Sequence, residues 1–386
     1  RLLMECEQRG LLDQEVEGIQ QLGSLIPAAL GAELSSVLRA AIVHAASLRL
    51  ASLARASEAL SLLAAAPGHW NYGSHCLWMA CAGLKVEDKS PAQRAAIAGI
   101  SHKDSTALPR VPYAKEASLL QHVLTSAAPG DAASVCDAIE HFGEKLAATS
   151  GWWLKVAGNT KANVLIAAVQ AAPPGGGVLE IGTYCGFSAL KMASAVPGVR
   201  ITTWEVDPLH VVIARSVVAY AGLAHRIDVW TGHSKDLIPR LSQAHCGHPT
   251  LKFGAVFMDQ RGSRYHEDLA ALEAQDCLLP GAVIVADNVL KPGAPLFLWR
   301  VAAQSRGYET AIVRVHEFGM PAEDWMSVTV YQPQPSPAKE DVLPAPADVL
   351  LLHEECDRMR ERAKPPGRSV QFEEWAAFAK SVRRRL

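Results

Sequence analysis

The residues VLEIGTYCGFSALKMA, Val178–Ala193, decide the fold. Val178–Ile181 is a short apolar run with the length of a buried strand. It breaks at Gly182 and Gly186, and Phe187 onward resumes with helical spacing. A strand, a glycine-bearing turn and a helix in that order make a nucleotide-binding loop. Glycine there permits close backbone approach to a ligand, and the new helix aims free N–H groups at it. The spacing Glu180-x-Gly-x-x-x-Gly departs from the dinucleotide fingerprint, and no Walker lysine follows. Taken alone, the string also fits an ordinary strand-to-helix turn.

The runs that follow repeat the pattern. Ile201–Trp204 ends on Glu205, about twenty residues past the first glycine, where a Rossmann-like sheet places an acid for two ribose hydroxyls. Arg226–Thr231 leads into Gly232-His-Ser-Lys-Asp236, Phe253–Met258 ends on Asp259, and Ala282–Ala286 ends on Asp287 and Asn288. Five strands therefore deliver polar groups at their C-terminal ends, the ligand-binding edge of open α/β sheets. Asp259, Asp287 and Asn288 offer three hard oxygen donors, a set suited to octahedral Mg²⁺ with positions left for water and substrate oxygens. Simple capping residues are the competing account of that trio.

From about Leu119 to Tyr331 the chain resembles the catechol O-methyltransferase family. The matching strings are LLQHVLTSAAPGDAASVCDAIEHF, GWWLKVAGNTKANVL, VLEIGTYCGFSALKMA, ITTWEVDP, FMDQRGSRY and VIVADNVLKPGAP, in that order. The resemblance implies a Rossmann-like methyltransferase fold, a mixed and mostly parallel seven-stranded sheet with helices on both faces, over residues 115–331. It also implies S-adenosylmethionine and Mg²⁺ as cofactors and a small aromatic diol as methyl acceptor.

Residue by residue, the resemblance assigns Ala157, Glu180, Gly182, Tyr184 and Ser188 to the cofactor's methionine side and Glu205 with Val206 to its ribose. Ser234, Lys235 and Arg261 fall at adenine-side positions. Lys235 stands for a glutamine, Arg261 for a tryptophan and Gln260 for a histidine; an arginine plane stacks in a similar way. Asp259, Asp287 and Asn288 are the implied metal ligands. Trp153, Lys155, Asn288, Pro292 and Glu317 are the implied substrate contacts, with Lys155 replacing a methionine and Glu317 reached only through a slip in spacing.

The main departure is the general base. The family places a lysine three residues after the metal aspartate, and here that position is Gly262. Metal acidification of the hydroxyl, with Lys155 or Lys291 moving into the role, is one reading; Lys291 precedes Pro292 and is the expected substitute. A different acceptor is another, with the caffeoyl-CoA type of O-methyltransferase as the enzyme alternative. A scaffold that binds S-adenosylmethionine but catalyses poorly is the third.

The 386 residues suffice for two or three domains, and 49% hydrophobic content is that of a globular protein. A net charge of −2 offers no general attraction to nucleic acid or anionic membrane. Eight scattered cysteines without a C-x-x-C pair fit buried thiols in a reducing, cytoplasmic setting. No run is long and apolar enough to span a bilayer. Residues 1–105 are rich in Ala and Leu at helical spacing and read as an α-helical region that serves packing or a protein partner. His69, His75, Cys76 and Cys81 there fit no zinc spacing well. Residues 101–112 read as a linker, and residues 332–386 as a proline-rich linker followed by a helical tail. The tail's Arg383-Arg384-Arg385 terminus is expected to be a solvated helix end.

Overall fold

The computed structural model describes residues 114–150, 153–241, 251–303, 307–320, 322–333, 344–363, 370 and 372–386. The expectations for the N-terminal helical region, its histidines and cysteines, the 101–112 linker and Trp152 lie outside these residues.

Seven strands form one sheet in the order β3-β2-β1-β4-β5-β7-β6. The first five are parallel: β1 (Gly177–Ile181), β2 (Ile201–Glu205), β3 (Ile227–Thr231), β4 (Phe253–Met258) and β5 (Leu278–Ala286). β6 (Tyr308–His316) and β7 (Glu323–Tyr331) close the sheet antiparallel, with β7 paired to β5. All six residues of β4 are buried. A continuous apolar run is what a parallel strand covered on both faces requires. β5 starts four residues before the apolar run read from the sequence, because Pro280-Gly281 interrupts that run without ending the strand. The register of β4 against β5 shifts there, between Phe253 and Ala255.

Helices α1 (Ala114–Ser126), α2 (Ala132–Ser150), α3 (Thr160–Ala171), α4 (Phe187–Ala195) and α5 (Pro208–Tyr220) cover one face. On the other lie α6 (Ser234–Leu241), α7 (Tyr265–Ala274) and the irregular helical turns of 289–303. Each face buries its own apolar cluster, one with Phe187, Leu190 and Val217, the other with Trp204, Phe253 and Tyr265. Full burial of one such side chain stabilises by about 1.5–3 kcal/mol. Asp207-Pro208 illustrates how local sequence sets a boundary. The Asp207 carboxylate accepts from the Leu209 N–H at 2.9 Å, and Pro208 fills a first-turn position where no N–H is needed, so α5 starts there.

The C-terminal tail is also helical, as α8 (Ala347–Arg362) and α9 (Phe372–Arg385). Its basic end is exposed, with Arg383 lying 4.2 Å from the Trp325 ring centroid and Arg385 bonding Glu355 at the surface. The four described cysteines, Cys136, Cys185, Cys277 and Cys356, are free and buried. No helix among the described residues is long and apolar enough to cross a membrane.

Candidate active site

The parallel strands end on one edge, and two groups of side chains collect there. At the β1 and β2 tips the backbone does most of the positioning. Gly182 has φ 108°, and a Cβ on it would stand 2.6 Å from the Asp259 carbonyl, so this glycine is required for conformation and for space. Gly186 has φ 85° and opens α4. The Glu205 carboxylate accepts from three backbone N–H groups, Tyr184 at 2.8 Å, Val206 at 2.8 Å and Asp207 at 3.0 Å. Charge-assisted bonds of this kind fix a carboxylate firmly. The Tyr184 ring stands edge-on to His210, and its hydroxyl donates to Glu116 of α1 at 2.8 Å. Val206 is half exposed at this edge. Glu180 lies fully buried beneath the loop and accepts from Ser188 and Thr203; burial pushes its carboxyl up to about 7 against those two bonds.

At the β4 and β5 tips side chains do the positioning. Lys161, near the start of α3, reaches inward to Asp324 at 2.7 Å, Asp287 at 2.8 Å and Glu317 at 3.0 Å, and is almost fully buried. The start of α3 is tied to the end of β6 through the His316 N–H, which donates to the Thr160 hydroxyl at 2.9 Å. Burial alone would pull the Lys161 ammonium down, but the three carboxylates outweigh it and hold it well above the lysine range. Burial, then repulsion from Asp287, pushes Asp259 well above the usual carboxylate range. Burial also raises Asp287 and Asp324, while Lys161 pulls Glu317 below its ordinary value.

Lys291 donates to the Glu323 carbonyl at 3.0 Å and acts on Glu317 from the side. Four carboxylates thus face two ammonium groups, and when all are ionised two negative charges stay uncompensated. Asp287 Oδ1 is buried without a hydrogen-bond partner, although Oδ2 takes Lys161. The Asn288 amide donates through Nδ2 to Asp324, which leaves its oxygen available. A buried carboxylate oxygen without a partner is a hard donor of the kind a divalent cation takes. Among the described residues no three His, Cys, Asp or Glu side chains group to hold a metal. Asp259, Asp287 and the Asn288 amide oxygen are the residues at this edge that could hold a hard cation.

The remaining expected residues are distributed around this edge. Trp153 is half-buried with the exposed Lys155 ammonium 5.9 Å from its ring centroid, and Ala157 is buried. Pro292 is buried, follows a cis peptide bond, and its carbonyl accepts from the Cys356 thiol at 3.0 Å. Ser234 donates to Asp268 at 2.7 Å, which also takes Gln260 at 2.8 Å, and Lys235 is exposed. Arg261, expected over adenine, engages Asp357 and Glu361 of α8 with its guanidinium.

Three participants were not anticipated. Lys161 carries a signal: at i, i+4, i+7 and i+8 it shares a face with Leu165, Ala168 and Val169, so it points at the core. Asp324 is a fully buried acid within the β7 run. Arg360 of α8, whose Nη2 donates to the Gly293 carbonyl behind this edge, carries no local signal in its strongly charged helix.

Residues 157–312 match the family model described as O-methyltransferase. The mouse catechol O-methyltransferase is 36% identical over 227 residues, covering 58% of this chain and 82% of its own length. Zebrafish catechol O-methyltransferase B is 36% identical over 214 residues, covering 55% and 77%. Human transmembrane O-methyltransferase is 34% identical over 208 residues, covering 53% and 67%. A Bacillus cereus O-methyltransferase solved with SAH aligns with TM-score 0.41 and 21% identity over 62% of this chain and 97% of that one. The chain belongs to the catechol O-methyltransferase family, whose members are S-adenosylmethionine-dependent O-methyltransferases.

Proposed function

We propose that the protein moves the methyl group of S-adenosylmethionine to a hydroxyl of a catechol-like aromatic diol, with Mg²⁺ held by Asp259, Asp287 and Asn288. The observation that carries this reading is Asp287 Oδ1, buried and without a partner at the tip of β5 beside Asp259 and Asn288. A divalent ion bound there would chelate both oxygens of a diol and lower the pKa of the one to be methylated.

The chain's own residues position the reactants. Glu205, already oriented by three amides, accepts from the ribose hydroxyls. Gly182, Tyr184, Ser188, Ala157 and Glu180 shape the methionine side, Val206 lies beside Glu205 at the ribose, and Ser234, Lys235 and Arg261 border the adenine. Trp153, Lys155 and Pro292 wall the acceptor mouth, and Glu317 takes the second hydroxyl. Lys161 fixes the carboxylates in place. Lys291 is the candidate proton acceptor in place of the lysine that Gly262 lacks. Holding acceptor oxygen and sulfonium methyl in line supplies most of the acceleration in a displacement of this kind.

Incubation with labelled S-adenosylmethionine, Mg²⁺ and a phenol library tests the reading. Vicinal diols should accept label and single phenols should not, and Asp259→Asn should abolish transfer. Label on single phenols at equal rates would contradict the chelated-diol reading. Lys291→Ala with full turnover would remove Lys291 as the base.

A further inference from the structure

At position 262 the space that a side chain would take is occupied by the end of another side chain. The glycine's φ lies outside the left-handed region, so the backbone there accepts any residue. A Cβ would instead meet Arg360 Nη2 at 2.5 Å and Ala294 Cβ at 3.5 Å. Arg360 is only 13% exposed, although it belongs to the otherwise charged helix α8. Its Nη2 also donates to the Gly293 carbonyl, and its Nη1 reaches Asp357 at 3.5 Å.

A second glycine makes room for the same helix pair. A Cβ on Gly293 would stand 3.0 Å from both Cys356 Sγ and Val382 Cγ1. Two successive carbonyls of one loop, Pro292 and Gly293, thus accept from two side chains of α8, Cys356 and Arg360. On the opposite side Arg261 is paired with Asp357 at 2.9 Å and with Glu361. Cys356, Asp357, Arg360 and Glu361 lie at i, i+1, i+4 and i+5, one face of a helix. That face bridges the turn after Asp259 and the loop after Asn288, so the segments behind two of the proposed metal ligands meet on α8.

We propose that Arg360 is a positioning residue of the methyl-transfer site, filling the space left by Gly262 and fixing the Gly262 turn against the Lys291–Gly293 loop. This rests on the proposed methyl transfer for its kinetic consequence only. The planar guanidinium suits the task, because its donors reach a carbonyl and a carboxylate at once, whereas an ammonium offers a single point of charge. Burying it without those acceptors would be costly.

The test uses the full chain and two readouts, hydrogen exchange at 262–264 and 289–294, and steady-state kinetics on a catechol panel. Arg360→Ala should speed exchange in both segments and lower kcat/KM for the acceptor about ten- to a hundredfold, the effect of a small misplacement of reacting groups. The Kd for S-adenosylmethionine should stay within about twofold, since the Glu205 side is untouched. Arg360→Lys should recover part of both losses, and Gly262→Ala, which displaces the guanidinium, should reproduce them in part. Glu374→Gln, which cuts the Arg362–Glu374 pair (2.7 Å) elsewhere in the tail, should move neither readout. Wild-type exchange in 262–264 and 289–294 in both Arg360→Ala and Gly262→Ala would overturn the proposal, as would an equal response to Glu374→Gln. If Arg360→Ala does not fold, Arg360→Lys and Gly262→Ala decide on the same readouts. A wild-type protein inactive on every acceptor would instead overturn the function reading, and exchange would still decide the role of Arg360.

Discussion

The β1–β2 side of the cleft and the β4–β5 side hold their polar groups by different means. On the first, Glu205 is oriented by three backbone N–H groups from residues 184, 206 and 207, all within one strand-tip neighbourhood. On the second, Asp287, Glu317 and Asp324 are oriented by Lys161 from α3, and the loops behind them by Arg360 and Cys356 from α8. A site built from backbone amides tolerates change in distant side chains. A site built from side chains contributed by remote segments depends on those segments, as the Gly262 turn does on Arg360. The two sides meet where β1 pairs with β4, and at Gly182 a Cβ would stand 2.6 Å from the Asp259 carbonyl.

The largest break between the sides should come from Asp287→Asn. It removes the orphaned oxygen as a charged ligand, and methyl transfer should fall at least about a thousandfold, a barrier increase of about 4 kcal/mol. Calorimetric affinity for S-adenosylmethionine should hold within a few-fold. A matching loss of cofactor affinity would mean that the two sides are not separable.

Lys161→Met should cost about 3–5 kcal/mol of stability, because it leaves buried carboxylates facing one another without their ammonium. Chemical denaturation measures this, and a change below about 1 kcal/mol would mean that the carboxylates protonate and do not need the lysine. The converse variant, Glu205→Gln, should weaken S-adenosylmethionine by about 1.5–3 kcal/mol, the worth of hydrogen bonds to a charged group. Divalent-cation affinity at the β4–β5 edge should be unchanged.

The smallest expected effect is a pH dependence at Glu180. Its carboxyl is raised from 4.5 to about 7 on folding, so the folded chain binds that proton more tightly than the unfolded one. The stabilisation is fully present below the unfolded value and is lost as pH rises through the folded value. Thermal melts should show the wild type losing more stability than Glu180→Gln between about pH 4.5 and about pH 7.5. Parallel curves for the two proteins would place the titration elsewhere.

Much of the first side is legible from the chain alone because its determinants are local. The apolar run 178–181, the glycines at 182 and 186, and the acid ending 201–205 fall within thirty residues of one another, and each is where strand geometry puts it. The strand-ending acids Asp259 and Asp287 are legible for the same reason. The companions of those acids are not. Nothing near Arg360 in α8 distinguishes it from Arg358 or Arg362, and only its seat against Gly262 and Gly293 does so. Arg261 reads as an adenine-side group from its place in the chain, and its two carboxylate partners on α8, Asp357 and Glu361, are not legible there. Lys161 stands between these cases, since its helical face is predictable and its three acidic partners are not. The tail's basic end reads as solvated and is exposed, but its surface partners Trp325 and Glu355 come next to it only through folding.

A divalent cation held by Asp259, Asp287 and Asn288 would supply the acidification of the acceptor hydroxyl, and metal dependence tests this most directly. Protein stripped with a chelator should bind S-adenosylmethionine yet transfer no label to a catechol, and transfer should return on titration with Mg²⁺. An undiminished rate in the chelated protein would contradict it.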